Sequence, residues 1–225
     1  MDAKRYQARE RARALARASI ARGDATGWFE QLYQQASGEL SNVPWADREG
    51  HPLLVEWLAE HRALVSGRRA LVVGCGLGED AEELARAGAA VCAFDIAPTA
   101  VEWCRRLWPA SSVRYEVGDL LALPREWVGA FDFVLEIYTL QALPAELRAT
   151  GMAAMASTLA PGGHLLAISR ARELTDPPGE LPWPLTRPEL ERFAEFGLTQ
   201  SEFADITTAD DPPTRHWRAR FTRAS

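Results

Sequence analysis

Short apolar runs alternate with longer mixed segments from residue 69 to residue 169. Each run is bounded by Gly, Pro or Asp, which is typical of a buried strand, and each gap is long enough for a crossover. The runs predict five strands: Arg69–Val73, Ala90–Phe94, Val113–Val117, Phe131–Ile137 and His164–Ser169. The segments between them predict three helices: Glu79–Ala87, Pro98–Leu107 and Ala145–Leu159. This alternation predicts βαβ units, and therefore a parallel sheet with helices on both faces.

The C-terminal part of the chain follows a different pattern. A helix is predicted over residues 186–196, where a Pro stands near its start. Two further strands, Leu198–Thr207 and His216–Thr222, then flank an Asp-Asp-Pro-Pro turn at residues 210–213. Because strands joined by a short turn pair antiparallel, the sheet should end in an antiparallel hairpin. The predicted fold class is α/β, with a mostly parallel sheet of seven strands.

The N-terminal part lacks this alternation and predicts a helical extension. Residues 3–22 are Ala-rich with few helix breakers, and residues 52–65 begin with Pro at a first helical position. Between them, residues 24–51 hold aromatic side chains among polar ones without a long period. The prediction is one domain over residues 1–225, made of a helical lid (1–65) and a core (66–225).

One basic stripe runs along the first predicted helix, because arginines recur there at every fourth position. Its members are Arg5, Arg9, Arg13 and Arg17. The simplest interpretation is a solvated helix face. A clamp on an anionic substrate is the alternative.

Composition narrows the function classes. The chain of 225 residues is 47% hydrophobic and 25% charged, which is ordinary for a globular protein. It has no apolar run of the roughly 18–20 residues that span a bilayer, so no membrane span is expected. The formal charge of −6 argues against broad nucleic-acid binding. The odd number of cysteines (Cys75, Cys92 and Cys104), without metal-ligand spacing, indicates reduced thiols in a cytoplasmic protein and no metal site.

A glycine-rich turn after the first strand carries the strongest functional signal. Gly74, Gly76 and Gly78 lie between that strand and a helix, and glycine lets a ligand approach the backbone closely. The free N–H groups of the helix N-terminus favour an anionic or carboxylate group. Asp95 ends the next strand, 21 residues after Gly74, where an acid can accept hydrogen bonds from ribose hydroxyls.

The spacing of this turn differs from that of dinucleotide-binding enzymes. Their fingerprint is GxGxxG, whereas this turn reads GxGxG and Glu79 occupies the place of the third glycine. Carboxylates at Glu79 and Asp80 would repel a pyrophosphate but suit an ammonium group. A cofactor that combines adenosine with an amino acid therefore fits better than NAD.

Five segments in order carry a family resemblance: residues 72–78, 93–97, 116–121, 131–138 and 159–165. With them, the chain resembles the class I S-adenosylmethionine-dependent methyltransferases over residues 69–169. The resemblance implies a Rossmann-like fold, S-adenosylmethionine as cofactor and S-adenosylhomocysteine as product. It also implies that the chain is an enzyme that transfers a methyl group.

The resemblance also implies roles for individual residues. The glycine turn would surround the methionine portion of the cofactor with Gly74, Cys75, Gly76 and Gly78. Asp95 would bind the ribose, and the adenine would lie beside Ile96, Asp119 and Leu120. Glu136 and Tyr138, at the end of the fourth strand, would lie beside the transferable methyl group. Two simpler interpretations stay open: Asp119 caps the turn that follows it, and Glu136 is a buried acid paired with an arginine.

Residues 43–54, 138–148, 152–163 and 177–190 resemble the thiol, halide, thiopurine and tellurite methyltransferases. This resemblance implies a small acceptor with a soft nucleophile, a thiol or a halide. Aromatic faces stabilise a sulfonium and exclude water, so Trp28, Tyr33, Trp45 and Tyr138 are the predicted acceptor wall, with Trp45 also touching the cofactor. Soft nucleophiles need little general-base help, and the sequence shows no obvious acid–base pair.

Alternatives to a soft acceptor stay open. His51 lies near Trp45 and Asp47 in the predicted lid, so it is the best candidate general base, with Tyr138, for O- or N-methylation of a secondary metabolite. A non-catalytic S-adenosylmethionine-binding module is a further alternative. Nucleic-acid methylation is not expected, because neither an Asn/Asp-Pro-Pro-aromatic motif after the fourth strand nor a Pro-Cys pair occurs. A small molecule is the expected partner.

Overall fold

The computed structural model describes residues 3–209 and 212–225. Its sheet has seven strands in the order β3-β2-β1-β4-β5-β7-β6. The strands are β1 Arg69–Val73, β2 Ala90–Asp95, β3 Arg114–Val117, β4 Phe131–Ile137, β5 Leu159–Arg170, β6 Leu198–Thr208 and β7 Thr214–Arg223. The first five strands pair parallel, and β7 pairs antiparallel with both β5 and β6. The predicted α/β class and mostly parallel sheet with a C-terminal antiparallel pair are confirmed.

Helices precede the sheet and connect its strands. They are α1 Ala3–Ile20, α2 Gly27–Ala36, α3 Pro52–His61, α4 Glu79–Arg86, α5 Pro98–Leu107, α6 Ala145–Thr158 and α7 Arg187–Glu191. Alternate residues of β1 pack into different clusters, because successive strand side chains point to opposite faces. Leu71 packs with Met152 of α6, whereas Val72 packs with Trp57 of α3 and Leu84 of α4. Both faces of the sheet are therefore covered, as a parallel sheet requires.

The helix α2 is the element that the sequence pattern missed. Its buried residues are Trp28, Leu32, Tyr33 and Ala36, a spacing that places them on one helical face. Only ten residues long, this helix is too short to show a long period among its polar neighbours. The strand β5 is also longer than predicted, because the segment Leu159–Gly163, predicted as a helix end and a turn, extends it.

The C-terminal strands confirm the predicted hairpin pairing with small shifts of their ends. The helix predicted over 186–196 divides into α7 and a 3₁₀ helix, Arg192–Phe196. Asp210 and Asp211 of the predicted turn lie outside the described residues. Among the described residues, no helix is long and apolar enough to cross a membrane.

A buried ion-pair network holds the segment between β5 and α7. Glu189 contacts Arg148 of α6 at 2.7 Å and Arg172 after β5 at 3.3 Å. Its carboxylate also accepts the backbone N–H of Thr186 at 2.8 Å, which caps α7. Arg148 is 7% exposed, so Glu189 balances a buried charge. This ion-pair network holds the end of β5 against the segment that connects it to α7.

We expect Glu189→Ala to lower the free energy of unfolding by about 2–3 kcal/mol, because it leaves the Arg148 guanidinium buried without its carboxylate. Glu191→Ala on the same helix is the matched control. Glu191 makes an ion pair with Arg187, and both side chains are substantially exposed, so its loss should cost less than about 0.5 kcal/mol. Urea denaturation of the three proteins measures both values. Equal losses in the two variants would contradict the role given to Glu189.

Candidate active site

A cavity of about 1160 Å³ opens at the carboxyl ends of the parallel strands. The glycine turn after β1, the ends of β2 and β4, helices α1 and α2, and the start of β7 contribute to its wall. This volume exceeds the roughly 300–1,000 Å³ that is usual for one small ligand, so a cofactor and an acceptor fit side by side. The position agrees with the rule that open α/β sheets bind ligands where the strand order reverses, here between β1 and β4.

The glycine turn has a backbone conformation that side chains disfavour. Gly74, Gly76 and Gly78 have φ values of +61°, +56° and +88°. A Cβ built on Gly76 would lie 3.4 Å from the ring of Trp45, and one on Gly78 would lie 2.5 Å from the hydroxyl of Tyr115. The turn therefore needs glycine for its shape and for close packing.

Asp95 connects this turn to the end of β2. Its carboxylate accepts the backbone N–H of Gly76 and that of Ala97, both at 2.9 Å. The side chain lines the cavity and is 6% exposed, and burial raises its pKa to about 6. Asp95 thus lies at the expected place, and it also shapes the turn beside it. Ile96, the next residue, lines the cavity as well.

Two carboxylates at the start of α4 bind the N-terminal segment. Glu79 accepts the backbone N–H of Arg48 at 3.3 Å, and Asp80 accepts that of His51 at 2.7 Å. Burial raises the pKa of Glu79 to about 7 and that of Asp80 to about 6. Both side chains line the cavity next to the glycine turn, where a ligand ammonium would restore their charged forms.

Asp119 and Leu120 follow β3 and line the cavity, as the resemblance implies. The Asp119 carboxylate accepts the backbone N–H of Leu121 at 2.8 Å, which agrees with the capping interpretation. One oxygen caps the turn while the residue stays on the cavity wall. The two interpretations of Asp119 do not exclude each other.

Glu136 occupies a different place from the one that the resemblance implies. It is fully buried and lies behind the cavity wall, because Thr139 lines the wall and donates its backbone N–H to the Glu136 carboxylate at 2.9 Å. The other carboxylate oxygen, Oε1, has no hydrogen-bond partner among the described residues. No arginine partner is found for it there. Burial raises the pKa of Glu136 to about 8.

A chain of hydrogen bonds joins three rings at the end of β4. The Nε2 of His51 lies 2.9 Å from the hydroxyl of Tyr138, which lies 2.7 Å from the Nε2 of His216. His216 Nδ1 lies 3.1 Å from the carbonyl of Thr214, and His51 Nδ1 accepts the N–H of Leu53 at 3.2 Å. With neutral imidazoles, these outer contacts assign the protons. His51 Nε2 donates to Tyr138, and Tyr138 donates to His216 Nε2.

Tyr138, the central ring of these three, has an unusual backbone conformation. Its φ is +63°, a value that aromatic residues rarely adopt. Such outliers persist where the surrounding structure holds them, and they cluster at functional sites. The ring nitrogens that hold its hydroxyl come from a segment 87 residues before it and a strand 78 residues after it.

The aromatic wall combines the three predicted rings of the N-terminal segment. Trp28, Tyr33 and Trp45 line the cavity. Trp45 donates its ring N–H to the Tyr33 hydroxyl at 2.8 Å, and its ring makes edge contacts with Trp28 and Tyr33 at centroid distances of 6.3 and 6.0 Å. Trp28 and Tyr33 are each 1% exposed, so they also belong to the core. The wall is therefore rigid.

The basic stripe of α1 differs from the simplest prediction. Three of its arginines, Arg5, Arg9 and Arg13, line the cavity, and only Arg17 is an exposed residue. The solvated-face interpretation is thus wrong for Arg9 and Arg13, whereas the side chain of Arg5 lines the cavity and is still 43% exposed. Arg170, from the end of β5, adds a further guanidinium to the cavity wall.

The turn end of the cavity fits S-adenosylmethionine, the cofactor that the resemblance implies. The glycine backbone at Gly74 and Gly76 allows close approach, and Glu79 and Asp80 suit an ammonium group. Asp95 suits ribose hydroxyls, and Asp119 lies where the resemblance places the adenine. Cys75 and Leu120 complete this wall.

The raised pKa of the buried Glu136 predicts how the free energy of unfolding changes with pH. Its pKa is about 8 in the folded protein and about 4.3 in an unfolded chain. The folded state therefore holds one more proton between these values, and stability falls as the pH rises through that interval. The loss amounts to about 1.4 kcal/mol for each pH unit.

We expect Glu136→Gln, which is neutral at every pH, to remove this loss. The variant should gain stability over the wild type as the pH rises from 5 to 8. Urea denaturation at both pH values measures the gain. Glu102→Gln on the exposed face of α5 is the control and should follow the wild type. Parallel curves for Glu136→Gln and the wild type would show that Glu136 is charged when buried.

Comparisons with known proteins agree with this geometry. A sequence model of the family described as thiopurine S-methyltransferase matches residues 30–220. The ubiquinone biosynthesis O-methyltransferase of Azotobacter vinelandii is 36% identical over 131 residues, 54% of this chain and 55% of that protein. Its counterpart from Xanthomonas campestris pv. campestris (strain B100) is 37% identical over 147 residues, 61% of this chain and 60% of that protein. The chain spans less than two thirds of the length of these relatives.

A solved structure shares the fold at low sequence identity. The 1,6-didemethyltoxoflavin-N1-methyltransferase of Burkholderia thailandensis, solved with bound 1,6-didemethyltoxoflavin and S-adenosylhomocysteine, has a TM-score of 0.68 and 19% identity. The likeness covers 92% of this chain and 89% of that one. The resemblance to class I S-adenosylmethionine-dependent methyltransferases is confirmed. Because the family match extends over most of the sequence, from α2 to β7, the chain belongs to the thiopurine S-methyltransferase family.

Proposed function

We propose that this protein transfers the methyl group of S-adenosylmethionine to a small aromatic acceptor that loses a proton on methylation, with a hydroxyl group as the preferred acceptor. The observation that carries this proposal is the hydrogen-bonded chain His51–Tyr138–His216 on the cavity wall. A site without proton transfer has no need of three aligned titratable rings.

The cofactor would occupy the end of the cavity formed by the glycine turn. Bound there, S-adenosylmethionine supplies an electrophilic methyl group on a sulfonium. The backbone of Gly76 would lie beside the cofactor's methionine portion and the carboxylate of Asp95 beside its ribose, and Glu79 and Asp80 would face its ammonium group. Trp28 and Trp45 would close this part of the cavity wall and help to exclude water from it.

The ring chain provides a path for the acceptor's proton. The acceptor hydroxyl donates its proton to the Tyr138 oxygen while Tyr138 passes its own proton to Nε2 of His216. His216 then carries the added proton, and its Nδ1–H stays bound to the carbonyl of Thr214. Tyr138 ends neutral. His51 holds the Tyr138 oxygen from the other side and keeps it in line. General-base assistance of this kind contributes about 10²–10⁴-fold to a rate.

A thiol acceptor is the second candidate, and the family match favours it. A thiol also loses a proton on methylation, so the same three hydrogen-bonded rings could accept that proton. A thiol is more acidic than a phenol, however, and therefore depends less on a general base. A halide has no proton to lose, so the three hydrogen-bonded rings would have no role in its methylation. The relatives named ubiquinone biosynthesis O-methyltransferase support the hydroxyl candidate. A cavity with room for two ligands supports an enzyme over a silent binding module.

We expect Tyr138→Phe to lower kcat for a phenolic acceptor by about 100-fold or more, because the proton path is interrupted. The dissociation constant of S-adenosylhomocysteine should stay unchanged. Tyr6→Phe, at an exposed tyrosine of α1, is the matched control and should behave as the wild type. Production of S-adenosylhomocysteine with matched phenols, aryl thiols and iodide measures the rates. A full rate for Tyr138→Phe with phenols, or turnover of iodide alone, would overturn the proposal.

Asp95→Asn tests the cofactor end of the cavity. The amide offers one acceptor oxygen where the carboxylate offers two, and we expect it to weaken S-adenosylhomocysteine binding by about 10-fold or more. Asp132→Asn is the matched control, since that carboxylate binds Arg69 at the amino end of β4, away from the cavity. Isothermal titration measures both constants. Equal affinities for the two variants would remove Asp95 from the cofactor site.

A further inference from the structure

Arginine side chains contribute to the acceptor end of the cavity wall. Arg9 of α1 and Arg170 at the end of β5 both line the cavity. The Arg170 guanidinium carbon lies 5.8 Å from the centre of the Tyr138 ring. Its Nε is buried and has no hydrogen-bond partner among the described residues. No ion pair to Arg170 occurs in the described part of the chain.

Two further arginines that line the cavity have carboxylate partners among the described residues. Arg5 pairs with Asp47, and Arg13 pairs with Glu10 and Glu180. Carboxylates are therefore present in this region, although none of the described ones makes an ion pair with Arg170. Burial lowers the pKa of Arg9, and the charge of Arg170 lowers it further, so the two guanidinium groups repel each other across the cavity.

We propose that the acceptor carries a carboxylate, which Arg170 binds with the help of Arg9. A carboxylate offers two oxygens to the planar guanidinium fork, and such charge-assisted bonds are the strong ones. It would balance the charge of Arg170 and would reduce the repulsion between the two arginines. This inference rests on the proposed function, because it assigns the far end of the same acceptor.

The geometry also limits the size of the acceptor. Arg170 lies over the ring of Tyr138, whose hydroxyl receives the acceptor's proton in the proposed function. The carboxylate and the methylated group must therefore lie on the same small molecule, a few ångströms apart. A single aromatic ring that bears both groups meets this requirement. The substrate class assigned here is an aromatic hydroxy- or mercaptocarboxylate.

The test uses the three hydroxybenzoate isomers, the three mercaptobenzoates and their methyl esters as probes. Isothermal titration into the complex with S-adenosylhomocysteine measures binding, and S-adenosylhomocysteine production measures turnover. We expect at least one acid to bind about 10- to 100-fold more tightly than its ester in the wild type. Arg170→Gln should abolish this preference, and Arg9→Gln should reduce it.

Two further variants keep the test decisive. Arg170→Lys retains the charge but not the fork, so it should keep part of the preference for the acid. Arg17→Gln removes a charge from the exposed side of α1 and should keep all of it. Binding of S-adenosylhomocysteine should be the same in every variant, which confirms folding and separates the acceptor's carboxylate from that of the cofactor.

Several outcomes would overturn the carboxylate site. They are equal binding of acids and esters, a preference for the acid that survives Arg170→Gln, no binding of any acid, or weaker S-adenosylhomocysteine binding in Arg170→Gln. Failure of the proposed function has a different signature, because acids would then bind through Arg170 without any methyl transfer. Methylation of the neutral esters through Tyr138, with no advantage for the acids, would leave the function intact and refute the carboxylate site alone.

Discussion

The parallel pairing of β1 with β4 in the middle of the sheet determines where this protein can bind ligands. The helices that follow the two strands cover opposite faces: α4 packs with Val72 of β1, whereas α6 packs with Leu71. The chain therefore leaves β1 and β4 in opposite directions, and a crevice opens between their carboxyl ends. The glycine turn leaves β1 at this crevice, and Tyr138 follows β4 at the same edge. The glycine turn and Tyr138 take their places from this divergence.

The two halves of the cavity are built by different kinds of contact. At the cofactor end, backbone groups dominate, and the carboxylate of Asp95 joins two backbone N–H groups within one βαβ unit. At the acceptor end, side chains from distant segments meet. His51 comes from the N-terminal segment and His216 from an antiparallel strand added beyond β5. A conserved cofactor can be held by the first kind of site, whereas the second kind is free to vary with the acceptor.

These two kinds of contact explain what the sequence could predict. The strands, the glycine turn and Asp95 follow from local patterns and motif spacing, and the structure places them as predicted. Helix α2 escaped detection because its apolar positions cover less than three turns. The Tyr138–His216 contact escaped because it depends on the register of β7 against β5, where His216 faces Arg170. No local pattern encodes that register.

The remaining differences between the sequence-based predictions and the structure result from the burial of side chains. Glu136 stands at the end of β4, where the resemblance places it beside the transferable methyl group, but the turn at Thr139 closes over it. The arginines of α1 have the spacing of a solvated face, yet three of them line the cavity because α1 packs on α2 beside it. In both cases, the decisive information is which element covers the residue. Helical or strand periodicity alone does not contain it.

The central claim is that His216 and Tyr138 act as one proton path, and a double-mutant cycle on kcat tests it most directly. Tyr138→Phe, His216→Gln and the double variant are compared with the wild type on one phenolic acceptor at saturating S-adenosylmethionine. Residues that act as a unit are strongly non-additive, so the double variant should be no slower than the slower single variant. Losses that multiply in the double variant, or single variants with the wild-type rate, would contradict the account.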